Sequence, residues 1–151
     1  SWLAGSLFWG WCRLHPLWHL PIEAFALPLA LAGLHGRWRT AASFYLASLL
    51  GTAITDGAMA LSGVMQLWPG VLSAPLHEAP LLLQAAGMAV LDPHALAVIA
   101  PCVVLLLVLC RQLWQRGSTG TMAAATLVTT LAVDAIFLVA ALFSPSLTGL
   151  L

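Results

Sequence analysis

Apolar residues run along most of this chain in long blocks that are separated by short polar links. Four blocks stand out: 17–34, 40–65, 93–114 and 120–143. A fifth, tryptophan-rich run of 12 residues precedes Arg13. That run is shorter than the roughly 20 residues that a spanning helix needs, so we expect further residues upstream of Ser1. The pattern predicts an all-α fold: one membrane domain, residues 1–151, built as a polytopic bundle of four to five transmembrane helices.

The link 66–92 is long, and its second half, Leu76 to Leu91, is mostly apolar. Pro75 is suited to the start of a helix, and Pro80 falls in the early turns, where proline is tolerated. We therefore predict one short interfacial or re-entrant helix in this link. Three tryptophans fall at the ends of predicted spans, as in an aromatic belt: Trp38, Trp68 and Trp114.

Composition supports a membrane protein and excludes several classes. Hydrophobic residues make up 62% of the chain and charged residues 7%, with a mean hydropathy of +1.00. Soluble domains carry about 25% charged residues, so this chain lacks the polar cover of a soluble enzyme. The formal net charge is zero, and such sparse charge does not fit a nucleic-acid binder.

The arginines predict the orientation in the membrane. They fall in two links, Arg37 with Arg39 and Arg111 with Arg116. Two crossings separate these links, which places both on one side, and the positive-inside rule makes that side cytoplasmic. The link 66–92 contains no basic residue and is expected outside. Arg13 falls on the outer side and disagrees with the rule.

Three acidic residues fall inside predicted spans: Glu23, Asp56 and Asp134. A charged side chain at mid-bilayer costs roughly 2.5–3.5 kcal/mol on insertion scales, and such residues usually have a function. All three are expected in the outer half of the membrane. His19 precedes Glu23 by four residues and can share its helix face.

The two aspartates end polar stripes at positions i, i+4 and i+8. One stripe is Ser48, Thr52 and Asp56, and the other is Thr126, Thr130 and Asp134. We therefore predict an intramembrane polar cluster that adds Thr52 and Thr130 to the carboxyl groups and His19. A further face is small and permits close helix packing: Ser43, Ala47, Gly51 and Thr55. The cluster is either a proton, ion or metal site or a hydrogen-bonded network that fixes helix packing.

Other chemistry is sparse. All five histidines fall near span ends, where neutral imidazole can bind the magnesium of a chlorin, and His94 and His15 are the candidates. The three cysteines lack metal-binding spacing and are interpreted as small buried hydrophobes. The sequence has no nucleophile–base pair, phosphate loop or HExxH, so we expect neither enzymatic activity nor a bound metal ion.

Three stretches resemble a known family. They are SWLAGSLFWGWCRLHPLWHLPIEAFALP (1–28), FYLASLLGTAITD (44–56) and LVTTLAVDAIFLVAAL (127–142). They are similar to motifs of a cyanobacterial integral membrane protein family, the domain of unknown function 3120 family. The link 66–91 departs from the family pattern. The resemblance implies a thylakoid or cyanobacterial plasma membrane and carries over no catalytic residues.

Two functions follow as expectations. The first is a non-catalytic accessory subunit or assembly factor of a photosynthetic complex, most plausibly a photosystem, that packs chlorophyll or carotenoid. Its partners would be membrane lipid and other integral membrane subunits, with no nucleic acid. The second is a small carrier or proton-conducting protein that uses the intramembrane carboxyl groups.

Overall fold

The structure is a computed structural model that describes residues 19–145, and within that range every regular element is helical. The α-helices are α1 His19–Glu23, α2 Leu27–Gly33, α3 Arg39–Leu61, α4 Trp68–Ser73, α5 Ala79–Val90, α6 Pro93–Trp114 and α7 Gly117–Phe143. Two 3-10 turns, Ala24–Ala26 and Val64–Leu67, precede α2 and α4. The predicted all-α class is confirmed.

Three helices of the described part are long and apolar enough to cross a membrane: α3, α6 and α7, with 23, 22 and 27 residues. At 1.5 Å per residue each exceeds the roughly 30 Å of a hydrocarbon core. The chain is therefore an integral membrane protein. The α6 helix has the bounds of the apolar block 93–114. It begins at Pro93 because Asp92 caps the first turn, where the Asp92 carboxylate accepts a hydrogen bond from the His94 N–H at 2.9 Å.

The predicted count of four to five spans is not confirmed. The block 17–34 folds as two short helices separated by a 3-10 turn, and its apolar part, Leu20–Gly33, has 14 residues. That length corresponds to about 21 Å, too short to span a bilayer. Pro28 lies in the first turn of α2, where its missing N–H is tolerated. Because proline cannot donate the hydrogen bond that a continuous helix would need there, the preceding helix does not continue into α2. The tryptophan-rich run before Arg13 lies outside the described residues.

The link 66–92 contains two short helices rather than one. The chain turns at Gly63, whose φ of 79° is readily adopted only by glycine, and then forms α4 and α5. The predicted start at Pro75 is replaced by a start at Ala79, with Pro80 in the first turn. At 12 residues, α5 is too short to cross the bilayer.

The helices α4 and α5 pack against the carboxyl-terminal end of α7. Val71 and Leu83 are buried together with Ala141 of α7. The Gln84 amide also donates a hydrogen bond to the Leu142 carbonyl at 2.9 Å. This bond satisfies one of the last carbonyl groups of α7, which have no partner within the helix.

Contacts between α3 and α7 show that these helices are parallel. Ala47 is buried against Ala124, and one turn later Gly51 lies beside Thr130. One turn further on, the side chains of Thr55 and Asp134 lie next to each other. Both residue numbers rise together along the contact, so the starts of α3 and α7 lie at the same end of the bundle, and Arg37, Arg39 and Arg116 lie there with them.

The α6 helix completes the core next to this contact. Its Leu106 and Cys110 are buried with Ala47, Ala124 and Leu127. The Cys110 thiol lies 3.7 Å from the Ala124 carbonyl, as expected for a weak donor in a small apolar site. Small side chains dominate this core, which allows the three spanning helices to approach closely.

Candidate functional site

A cavity of about 570 Å³ lies between the carboxyl-terminal halves of α3 and α7 and the middle of α6, and residues of α4 and α5 also line it. Its volume falls within the range of about 300–1,000 Å³ that is typical of small-molecule sites. The lining is apolar except for Thr55, Asp56, Cys102 and Asp134. The apolar lining residues come from all five surrounding helices and include Met59, Trp68, Leu83, Ile99, Val103, Leu106, Leu131 and Phe137.

The structure brings the two predicted aspartates to this one cavity. Asp56 lies five residues before the end of α3, and Asp134 lies nine residues before the end of α7. These separations correspond to about 7.5 Å and 13.5 Å along the helix axes. Because α3 and α7 are parallel, both carboxyl groups belong to the same half of the bundle. The Asp134 carboxyl group lies beside the Thr55 side chain, and one Asp56 carboxyl oxygen is fully buried.

Thr52 and Thr130 are not among the described residues that line the cavity. The Thr52 carbonyl accepts a hydrogen bond from the Thr55 hydroxyl at 3.2 Å. The Thr130 hydroxyl donates to the Thr126 carbonyl at 3.2 Å, within its own helix. A threonine in a membrane helix can bond the carbonyl one turn earlier, so its hydroxyl needs no partner on another helix. Thr52 and Thr130 therefore belong to the contact between helices and not to the wall of the cavity.

Glu23 also lies away from the cavity. Its side chain is exposed, and its backbone carbonyl accepts a hydrogen bond from the Tyr45 hydroxyl. Tyr45 precedes Asp56 by 11 residues on α3, which is about 16 Å along the axis. His19 is the first residue of α1, the helix that Glu23 ends. The structure thus joins Asp56 to Asp134 and places Glu23 elsewhere on the bundle.

The stripe of small residues faces α7, as its spacing suggests. Ala47 and Gly51 are buried in the contact, and Ser43 and Thr55 lie at its two ends. A Cβ atom on Gly51 would lie 3.1 Å from Thr130 Oγ1 and 3.3 Å from Leu127 Cδ2. Only a residue without a side chain allows this approach.

The sequence did not indicate the wall that α4 and α5 contribute. Trp68 was expected in an interfacial belt, but its ring lies 6.0 Å from that of Phe137 at an interplanar angle of 59° and lines the cavity. This tilted arrangement is a favourable aromatic geometry. The two residues are 69 positions apart, so no local periodicity could have paired them.

Of the two candidate pigment ligands, His94 is described by the structure, and it does not line the cavity. His94 is exposed at the start of α6, where its backbone N–H bonds to Asp92. His15 lies outside the described residues. His35, His77 and His94 are not among the residues that line the cavity, and the described residues contain no group of three or more potential metal ligands.

Comparison with known proteins shows the family. A family model described as protein of unknown function (DUF3120) matches residues 1–142, so the chain belongs to this family. The predicted family membership is confirmed by this match. No curated protein and no solved structure matches the chain significantly.

Proposed function

We propose that this member of the DUF3120 family is a non-catalytic accessory subunit or assembly factor that holds an apolar pigment-like molecule in its membrane cavity. The observation that carries the proposal is the cavity itself, about 570 Å³ in volume and lined almost entirely by apolar side chains. A molecule dissolved in the bilayer can fill such a space and gain dispersion contacts on every side.

A carotenoid fits this cavity better than a chlorophyll. Trp68 and Phe137 offer aromatic surfaces for a flat polyene, and Asp56 and Asp134 can bind a polar end group. A chlorophyll generally needs an axial ligand for its magnesium, and no described histidine lines the cavity. His94 is exposed at the outer end of α6, where it remains a candidate ligand for a chlorophyll shared with a neighbouring subunit.

We propose that the protein belongs to a photosynthetic complex, with a photosystem as the first candidate, in a thylakoid or cyanobacterial plasma membrane. The sequence motifs that resemble the cyanobacterial family support this setting. The proposed orientation has the arginine links in the cytoplasm, and it is supported by the parallel packing of α3 and α7, which gathers both links at one end. The other end carries Glu78 and Asp92 and no arginine among the described residues.

Pigment content after mutation tests the proposal. Ala132 and Ala125 are both exposed alanines of α7, and only Ala132 lines the cavity. Protein from a photosynthetic host should comigrate with a pigmented complex on a native gel and carry carotenoid absorbance. Ala132→Phe should fill the cavity and reduce the bound carotenoid at least several-fold, whereas Ala125→Phe should leave it unchanged. Equal pigment in both variants, or none in the unmutated protein, would contradict the proposal.

A second candidate is a small carrier or proton-conducting protein. The observation in its favour is that Asp56 and Asp134, from two parallel helices, line the same cavity. The Asp134→Asn variant separates the two functions in liposomes. A proton conductor should lose its flux with the fold intact, because an amide cannot exchange the proton. An accessory subunit should show no flux in either form, keep its complex with Asn and weaken it with Leu, which cannot form a hydrogen bond with the neighbouring Thr55 side chain.

A further inference from the structure

The opposite end of the bundle contains a second cavity, of about 650 Å³, between the two arginine links. Arg39 reaches it from the start of α3, and Arg116 reaches it from the turn between α6 and α7. The other polar or small residues at its wall include His35, Gly36, Thr119 and Gly120. Two arginines from distant parts of the chain therefore line one cavity.

This cavity is positively charged and has no internal counter-ion. None of the described residues that line it is acidic. Within residues 19–145 no ion pair joins an arginine to a carboxylate, and the pair found there joins His77 to Glu78 in the outer link. The two intramembrane aspartates lie in the other half of the bundle. An anion that enters from outside would thus be attracted without competition from a resident carboxylate.

Glycine at position 120 helps to bring Arg116 into place. A Cβ atom there would collide with the Leu113 carbonyl oxygen and lie 2.9 Å from the Arg116 Cβ. The turn between α6 and α7 is therefore tight, and it contains Gly117 with a φ of 78°. Because the turn is tight, the backbone of Arg116 is fixed at the wall of this cavity.

The depth of the cavity matches the headgroup layer of a membrane. Trp38 precedes α3 and is 74% exposed, and Trp114 ends α6 and is 57% exposed. Exposed tryptophans at the ends of spans mark the interface between hydrocarbon and water. The guanidinium groups at this end therefore lie where the phosphates of lipid headgroups are found.

We propose that this cavity binds a phosphate group, and that its natural source is an anionic phospholipid headgroup. Guanidinium groups bind phosphate oxygens through paired, charge-assisted hydrogen bonds, and two of them can hold one phosphate from two sides. A soluble phosphate ester presents the same group without acyl chains, so the two sources are separable by experiment. The inference is independent of what fills the outer cavity.

The test uses the full chain, purified in a neutral detergent. Short-chain phosphatidylglycerol, phosphatidylcholine with matched chains, and glycerol phosphate are each titrated, and the dissociation constant is obtained from the rise in the thermal unfolding midpoint. Phosphatidylglycerol should bind, and added salt should weaken the binding. The double variant Arg39→Gln/Arg116→Gln should weaken it about tenfold to a hundredfold, the effect of losing a charge-assisted hydrogen bond.

The matched control is Arg37→Gln/Arg111→Gln, which removes the same charge from the same end at residues that do not line this cavity. It should retain nearly full affinity. A third variant, Arg39→Lys/Arg116→Lys, keeps the charge and loses the planar fork, so its affinity should fall between the other two. The lysine pair also decides the matter if the glutamine pair fails to fold.

The outcomes distinguish a lipid site from a site that also accepts soluble phosphate esters. Binding of phosphatidylglycerol alone supports a lipid site, and binding of glycerol phosphate as well supports a phosphate site that is open to soluble esters. Equal binding of phosphatidylcholine would overturn the proposal, because its headgroup has no net charge. Equal loss in the Arg37→Gln/Arg111→Gln control would overturn it as well, because the effect would then be diffuse charge rather than a site.

Discussion

Replacement of Gly51 by alanine measures how closely α3 and α7 must approach. The new Cβ would lie 3.1 Å from Thr130 Oγ1, 3.3 Å from Leu127 Cδ2 and 3.4 Å from Thr130 Cβ. The first two distances are tighter than ordinary van der Waals contact, so the Thr130 and Leu127 side chains must move by a few tenths of an ångström to accept the methyl group. Alanine also favours the helix more than glycine does, which opposes the steric effect.

The two effects can be separated with Gly57, a second glycine of α3 with no atom within 4 Å of an added Cβ. At Gly57 only the gain in helix propensity operates, so Gly57→Ala should stabilise the protein by about 1 kcal/mol. At Gly51 the same gain is offset by overpacking of about 1–3 kcal/mol. Gly51→Ala should therefore lie about 1–3 kcal/mol below Gly57→Ala in unfolding free energy.

The assay is titration of each variant from neutral micelles with a denaturing detergent, followed by circular dichroism. The free energy of unfolding of each alanine variant is compared with that of the unmutated protein. Leucine at the same two positions extends the series, since Gly51→Leu should destabilise strongly and Gly57→Leu should be tolerated. If Gly51→Ala proves as stable as Gly57→Ala, the close contact between α3 and α7 does not exist as described.

Two further predictions concern the arginine end of the bundle. Gly120→Ala should destabilise by about 3 kcal/mol in the same detergent titration, because the Cβ collides with backbone, whereas Gly36→Ala, with open space around its Cβ, should change little. Cysteines introduced at Gly36 and Ser118 should both react with a membrane-impermeant reagent added from the cytoplasmic side, and a cysteine at His77 should react only from the other side; labelling of Gly36 and Ser118 from opposite sides would refute the parallel arrangement.

Features with a local physical cause could be predicted from the sequence. The apolar block 93–114 has the same bounds as α6. The helix starts at Pro93 because Asp92 caps it and proline is suited to its first turn. The stripe that contains Ala47 and Gly51 gives the packing face of α3, because small residues every four positions admit another backbone. Asp56 and Asp134 lie in the same half of two parallel helices, and their positions in the sequence predict this shared location.

Features that depend on tertiary pairing could not be predicted. Apolar content alone suggests one continuous span over 17–34, whereas the described part of this block breaks at Ala24–Ala26, just before Pro28. The hydroxyl of Thr130 looks like a site group in a stripe, but it bonds to a carbonyl of its own helix. The contact of Trp68 with Phe137 joins residues of two different helices that no local sequence pattern relates.

The parallel pairing of α3 with α7 has a consequence for biosynthesis. Thr130 is made 79 residues after its packing partner Gly51, which at about 5–20 residues per second is a delay of roughly 4–16 s. During that interval α3 resides in the bilayer with its glycine face turned to lipid or to the insertion machinery. Release of a nascent chain truncated before Gly117 should therefore leave α3 inserted without its partner, a substrate for membrane quality control.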